Sequence, residues 1–515
     1  MKAEDRNRAK ELYKELRQKS WPHLWREEVP RFNAASPEER IKTVAVIRAA
    51  GVVFAESGPV EEKASVREWL LQLLQDPSEK VRRYAMAAMP KIGAGAQEEQ
   101  TLLASLRMAP REREKKYLAR TLEKIGGAAT LETGSFGGAE QKIKAGIARR
   151  ETPSALRVNA ILTPGSHLLI HLRSRNGLER FVSDEVAQRM RGKFRAAKVS
   201  AGKTGIIPCA PFSLADIYSM RCFGSLGFVL GKVEAGNEAE STEALAAVIA
   251  SGPSRQLLEA FTEGAIRYRL NFVFKGHQRA AVDRLARQVY ARCPEILNDP
   301  RSVTWTIDIY PDGGGQLVEL RPNMTPDPRF AYRRRDVPAA SHPPLAACLA
   351  RLAGRLPDEV IWDPFCGSGS ELIESALLGG ARSVCGTDCS SDAIAIAQNN
   401  FAAAQAKSVR ASFICGDFRK VAATKNFAGG RITLIITNPP MGMRVPVADL
   451  RGLIADLFSV SASVLNPGGR LVFVNPLARV TPPPSLKLQF AQEVDMGGFR
   501  CRLEKYLRTA AQTGK

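Results

Sequence analysis

The most constraining stretch of this sequence is Val360-Ile-Trp-Asp363-Pro-Phe-Cys-Gly-Ser-Gly369, an apolar run closed by an acid and a glycine turn. Glu371-Leu-Ile-Glu-Ser-Ala-Leu-Leu378 follows with apolar residues at helical spacing, so the order is strand, tight turn, helix. Gly367 and Gly369 carry no Cβ, which lets the backbone turn sharply and lie close to a bound nucleoside, and the helix start offers free N–H groups. Such a unit calls for an α/β sheet with its ligand at the carboxyl ends of the strands.

A dinucleotide-binding fingerprint is the first rival, and it needs a third glycine at position 372, where this chain has Leu372. The turn opens instead on Asp363-Pro364, whose carboxylate can bind the ammonium of a methionine moiety. Ser383-Val-Cys-Gly-Thr-Asp388 reads as a second strand, its acid 19 residues beyond Gly369 and able to accept from both ribose hydroxyls. Cys389 follows it, and the neighbouring Ser390, Ser391 and Asp392 read as helix-capping residues. A third strand, Ala411-Ser-Phe-Ile-Cys415, ends in Gly416-Asp417-Phe418.

The fourth strand, Ile432-Thr-Leu-Ile-Ile-Thr437, runs directly into Asn438-Pro439-Pro440-Met441. Asn438 offers a side-chain carbonyl that accepts from an exocyclic NH2, and Pro439 fixes the chain so that its own carbonyl can accept the second hydrogen. An aromatic amine is a poor nucleophile because its lone pair is delocalised. Two acceptors holding both protons favour the pyramidal geometry that attack requires, and no strong general base is needed. Leu450 to Leu465 as a helix, Asn466-Pro-Gly-Gly469 as a turn and Leu471-Val-Phe-Val-Asn475 as a strand continue the sheet.

This order of elements resembles that of class I S-adenosylmethionine-dependent methyltransferases. The resemblance implies S-adenosyl-L-methionine as cofactor, held by Asp363, Phe365, Cys366, Gly367 and Gly369 of the turn, Asp388 and Cys389 at the ribose, Asp417 and Phe418 at the adenine, and Asn438. It implies Asn438, Pro439, Pro440 and Met441 as the catalytic group and no metal. Two positions depart from the pattern: Met441 stands where an aromatic residue usually stacks on the flipped-out base, and Pro344 where a smaller polar residue is expected.

Upstream, short β-like runs such as Leu168-Leu-Ile-His-Leu172 alternate with helices such as that from Phe181 to Met190. A second set has Ile266-Arg-Tyr-Arg-Leu-Asn-Phe-Val-Phe274, a basic helix around Gln278 to Tyr290, Val303-Thr-Trp-Thr-Ile-Asp-Ile309, and a hairpin through Gly313-Gly-Gly315 to Gln316-Leu-Val-Glu-Leu320. Asn176-Gly-Leu-Glu179 with Asp184-Glu185 looks like the start of the ferredoxin-like region that precedes a THUMP domain. Arg329-Phe-Ala-Tyr-Arg-Arg-Arg335 leading to Pro338-Ala-Ala-Ser-His-Pro-Pro-Leu-Ala-Ala347 resembles the THUMP-to-methyltransferase junction of RNA guanosine N2-methyltransferases.

The first part of the chain is helical and repeats: Asp76 to Gly93 recurs from Pro110 to Gly126 at an offset of 33 residues, which resembles HEAT-type hairpins. A small helical bundle is the alternative reading. Residues 128–165, including Gly134-Ser-Phe-Gly-Gly138, have no sustained period and read as a linker. The fold expected is multidomain: all-α HEAT-like repeats at 1–127, an α+β ferredoxin-like domain at 166–260, a THUMP-like RNA-binding domain at 261–335 and an α/β Rossmann-like methyltransferase at 336–515.

With a formal charge of +21 over 515 residues, the chain favours a polyanion as partner. The nine cysteines contain no CxxC pair, which argues against a zinc cluster or disulfide framework. The N-terminus lacks a signal peptide's apolar run, and no stretch approaches the ~18 apolar residues of a membrane span, so a cytoplasmic protein is expected. Taken with the resemblance, this points to an enzyme that methylates guanosine N2 in structured RNA, with tRNA favoured and rRNA possible. The alternatives are adenosine N6 as acceptor, DNA as substrate, or a non-catalytic RNA-binding or assembly factor that keeps the fold. The HEAT-like segment extends the basic surface or docks a protein partner.

Overall fold

In the computed structural model, residues 3–93, 95–107, 112–133, 139–165, 168–274, 276, 278–301, 303–338, 340–425, 427, 431–442 and 446–509 are described. The chain divides into two units, Met1–Pro153 and Ser154–Lys515.

The first unit is a succession of helices, and its apolar stripes meet in a core that includes Leu16, Trp21, Val46, Trp69, Met86, Leu118 and Leu122. Gly51 of the helix Ala45–Ser57 lies against Ala88 of Glu79–Ile92, where a Cβ would stand 2.9 Å from the alanine Cβ. The 33-residue repeat is realised in space. Thr121 of Glu112–Ile125 donates to the Met86 carbonyl at 2.9 Å, and Arg82 Nε meets Glu114 Oε1 at 2.6 Å, so the two repeated helices lie side by side. Arg67 with Glu98 links two other helices, and Arg40 pairs with Asp76 in the turn before Glu79–Ile92, each with a buried carboxylate. Pro110 and Gly134-Ser-Phe-Gly-Gly138 fall outside the described residues.

The linker expected at 128–165 is largely helix. Ala128–Thr133 and Glu140–Glu151 belong to this unit, and Ile143 and Ile147 are buried in its core. One apolar pair four residues apart is enough to seat the second helix, because Gly146 lets it approach the Glu123 carbonyl, which a Cβ would meet at 2.2 Å.

The second unit holds two sheets. One has eight strands in the order Phe194–Ser200, Lys203–Pro208, Ile170–Arg173, Ser225–Val233, Gly315–Pro322, Trp305–Asp312, Ile266–Phe272 and Ile296–Asn298. The division expected at residue 260 does not separate two sheets. Ser225–Val233 pairs antiparallel with Gly315–Pro322, joining both sets of strands into one. Phe228, Leu226, Val318 and Leu320 on these two strands are fully buried, so apolar burial favours the pairing.

The other sheet has seven strands in the order Arg410–Cys415, Ala381–Asp388, Glu359–Asp363, Ile432–Thr437, Leu465–Asn475, Arg500–Arg508 and Leu486–Asp495. Numbered along the chain this is 3-2-1-4-5-7-6, and Arg500–Arg508 alone runs against its neighbours. Asn466 to Gly469, expected as a turn, bulges out near the start of the strand Leu465–Asn475: Ile432 pairs with Leu465 and Leu434 with Arg470, and Gly468 takes φ +83°.

Buried charge and close backbone contact join the two sheets. Arg221 grips Glu374 through two bonds of 2.6 and 2.8 Å, Tyr332 donates to the same carboxylate at 2.7 Å, and Glu185 accepts from the Arg221 and Cys222 amides and from Arg351. Gly177, in the Asn176-Gly-Leu-Glu179 motif, takes φ +95° and lies where a Cβ would come 2.0 Å from the Glu493 carbonyl oxygen. Among the described residues, no helix is long and apolar enough to cross a membrane.

Candidate active site

The carboxyl ends of the first, second and fourth strands of the seven-stranded sheet converge on one edge, as open α/β sheets require of a ligand site. Asp363 closes the first strand and is fully buried. Its Oδ1 accepts from the Phe365 amide at 3.0 Å and from the Thr437 hydroxyl at 2.6 Å, whereas Oδ2 has no partner among the described residues. Burial, and after it the neighbouring Glu371, pushes the Asp363 carboxyl well above the usual carboxylate range. Burial raises Glu371 as well, on the first turn of the helix Ser370–Leu378.

The glycine turn has the geometry its sequence suggests: Gly367 takes φ +50° and Gly369 φ +86°. The Gly367 amide donates to Asp388 Oδ2 at 3.0 Å, and Ser390 donates to Oδ1 at 2.9 Å, which orients the carboxylate and leaves each oxygen a further lone pair for a ribose hydroxyl. Phe365 and Phe418 pack with ring centroids 4.8 Å apart. Cys366 is buried against Gly386, where a Cβ would come within 2.9 Å of its sulfur, and burial raises its thiol, so it serves as packing.

Two residues assigned to the cofactor stand differently. Asp417 caps the helix Phe418–Ala422 through the Arg419 amide at 2.8 Å and pairs with the Arg419 guanidinium at 2.8 Å, one bond to each oxygen, which leaves each a further lone pair. Cys389 is exposed and donates to the Gly416 carbonyl at 3.6 Å.

At the acceptor end, Asn438 follows the last residue of the fourth strand, Thr437, the same residue that donates to Asp363. That bond couples the two motifs. The Asn438 Nδ2 donates to Ser341 Oγ at 2.8 Å, while its Oδ1 is buried with no partner among the described residues. Pro439 is buried and Pro440 half-buried behind it. Met441 is held by Cys501, with the two sulfurs 3.7 Å apart. Pro344 is buried in the first turn of the helix Pro343–Ala353.

Two positioning residues are absent from the sequence reading. Ser341 pins the Asn438 amide, a role that its place in the Pro338-to-Ala347 segment does not announce. Asn400, fully buried, donates to the Ser368 and Arg335 carbonyls at 3.0 and 2.9 Å and accepts from the Arg334 amide at 3.0 Å, tying the glycine turn to the segment before it.

Residues 331–481 match the family described as RMKL-like, methyltransferase domain. The chain carries a methyltransferase domain. It is 30% identical over 195 residues, 37% of its length, to the tRNA (guanine(6)-N2)-methyltransferase of Thermus thermophilus, and the matched stretch spans 55% of that relative. Among solved structures, TrmN from Thermus thermophilus superposes with a TM-score of 0.52 at 21% identity, covering 66% of this chain and all of that one. The putative methyltransferase SMU.472, solved with SAH, gives 0.50 at 15% identity, covering 69% of this chain and all of that one. At these identities the structures show the fold alone, and it is the class I methyltransferase fold. The cofactor of the domain is S-adenosylmethionine. The residues fit it: a buried carboxylate oxygen without a partner at Asp363, two left-handed glycines and an oriented Asp388 provide for an ammonium, a close backbone approach and a ribose.

Proposed function

We propose that the protein transfers the methyl group of S-adenosylmethionine to an exocyclic amino group of a nucleoside in RNA, with guanosine N2 in tRNA as the favoured acceptor. The observation that carries this is the Asn438 amide. Its NH2 is committed to Ser341 and its carbonyl oxygen is buried and unspent, an arrangement suited to accepting a hydrogen bond from an amine.

In this reading Asp363 and the turn at Gly367 and Gly369 hold the cofactor, and Asp388 fixes its ribose. Bound there, it supplies an electrophilic sulfonium methyl group. Asn438 Oδ1 and the Pro439 carbonyl accept hydrogen bonds from the two N–H groups of the acceptor amine and orient its lone pair, and the nitrogen gives up one proton to solvent once it is alkylated, so catalysis rests on positioning rather than on a base. Ser341 keeps the Asn438 amide from rotating. Met441, its sulfur anchored on Cys501, offers a polarizable surface to the flipped base. The α+β half of the second unit, docked to the catalytic half through Arg221, Glu374 and Gly177, grips the RNA in a THUMP-like manner. The tRNA reading is supported by the likeness to the Thermus guanine N2 enzyme. Adenosine N6 and rRNA are the second choices, since Met441 defines the base less sharply than a ring.

The test is to incubate the full chain with methyl-labelled S-adenosylmethionine and separate tRNA, rRNA and DNA pools, then identify the labelled nucleoside by mass spectrometry. N2-methylguanosine in tRNA is expected. Label only in DNA, or in none of the pools despite cofactor binding, overturns the proposal.

A further inference from the structure

The helical unit gathers positive charge on one face. The Gly51–Ala88 contact crosses Ala45–Ser57 and Glu79–Ile92 so that Arg48, one turn before the contact, comes near Lys91, one turn after it. The repeat then places Lys124 beside Lys91, since the two occupy the same position in helices stacked at an offset of 33 residues. All three side chains are exposed, and among the described residues none has a carboxylate partner. Their crowding is physical: partial burial first, then Arg48, Lys124 and Arg17, hold the Lys91 ammonium below the usual lysine range. The acid that opposes this, Glu56, is already engaged by Arg17 at 2.7 Å.

One aromatic ring, Tyr13, lies against these cations, and a second, Tyr117, stands seven residues before Lys124 on the same helix. Arg48 sits 4.2 Å over the Tyr13 ring, and Arg83 and Arg120 flank Tyr117 at 5.3 and 5.9 Å. A face meant only for solubility gains nothing from packing like charges against each other, since that repulsion costs stability until an anion arrives. A single carboxylate would neutralise one of them, whereas the spacing over three helices suits a chain of regularly placed negative charges.

We propose that this face, with Arg48, Lys91 and Lys124 at its centre and Tyr13 and Tyr117 beside them, binds the phosphodiester backbone of RNA. The proposal rests on the RNA reading above and gives the helical unit a part in holding the substrate. Binding releases condensed counterions, so affinity falls with salt in proportion to the phosphates contacted. The unpaired guanidinium and ammonium groups track the backbone.

The experiment measures binding of bulk tRNA to the full chain across a salt series, for wild type and for Arg48→Gln with Lys91→Gln and Lys124→Gln. The triple variant is expected to bind about tenfold or more weakly near 0.1 M salt, with the slope of log K on log[salt] smaller by about 2 to 3. Cofactor affinity is expected to be unchanged, and Lys91→Arg with Lys124→Arg is expected to bind as wild type does. An unchanged slope overturns the proposal, as does equal weakening by the two arginine substitutions, which would trace the loss to packing. If wild type methylates tRNA while the slope is indifferent to the substitutions, this surface fails and the enzyme reading stands. A reduced slope without methyl transfer to any RNA leaves the surface and overturns the enzyme.

Discussion

Ser341 decides which way Asn438 presents its amide, and it lies 97 residues earlier in the chain, brought there by the packing of the segment before the helix Pro343–Ala353. Asn438 was legible from its motif, and Ser341 was not, because nothing local in Pro338 to Ala347 marks a serine whose partner is a distant side chain. Replacing Ser341 by Ala is expected to lower the methyl-transfer rate about tenfold while leaving cofactor affinity unchanged, measured as kcat against the Kd for S-adenosylmethionine. Asp363 gives a test of opposite sign in stability. Its pKa is raised in the folded protein, so the fold binds the proton more tightly than the unfolded chain does, and this site's contribution to stability is lost as pH rises through the folded value. Without cofactor, Asp363→Asn is therefore expected to melt at a higher temperature than wild type near pH 8. The gap should narrow as pH falls toward about 5, and the variant should bind the cofactor poorly. Asp417, which the resemblance implies as the adenine contact, also caps the helix Phe418–Ala422 and pairs with Arg419 two residues on.

Among elements, the first, second and fourth strands of the catalytic sheet were the most legible, since Asp363 and Asp388 end two of them and Asn438-Pro439 follows the third, whereas Leu486–Asp495 and Arg500–Arg508, interspersed with charge, were not named. Ile432–Thr437 falls where its sequence places it. The eight-stranded sheet was less legible, because the pairing of Ser225–Val233 with Gly315–Pro322 joins segments separated by three helices and four strands. The helix Glu140–Glu151 was missed because only Ile143 and Ile147 mark its apolar face amid lysines and arginines. Asn176-Gly-Leu-Glu179, noticed as a motif, has a structural reason as well: its glycine admits the Glu493 carbonyl. Glu374→Ala would leave Arg221 facing a buried site without its charge partner, with an expected cost of about 3 to 5 kcal/mol in chemical denaturation of the second unit. Gly177→Ala is expected to lower the same transition, both for its φ and for the clash.

At the scale of the whole molecule, the chain has two units with separate hydrophobic cores, one built from helices alone and one shared between two sheets. Calorimetry is expected to resolve two transitions, of which S-adenosylmethionine raises only the one belonging to the second unit. A cofactor shift in both would mean that the units unfold together. The net charge of +21 was legible at once, but its concentration at Arg48, Lys91 and Lys124 depends on how the repeats stack. We propose that the unspent Asn438 carbonyl beside the cofactor turn is what permits transfer to an amine of RNA. It is tested most directly by single-turnover transfer from labelled S-adenosylmethionine to tRNA, wild type against Asn438→Ala. A fall in rate of about two to three orders of magnitude with unchanged cofactor affinity is predicted; equal rates for the two proteins would contradict it.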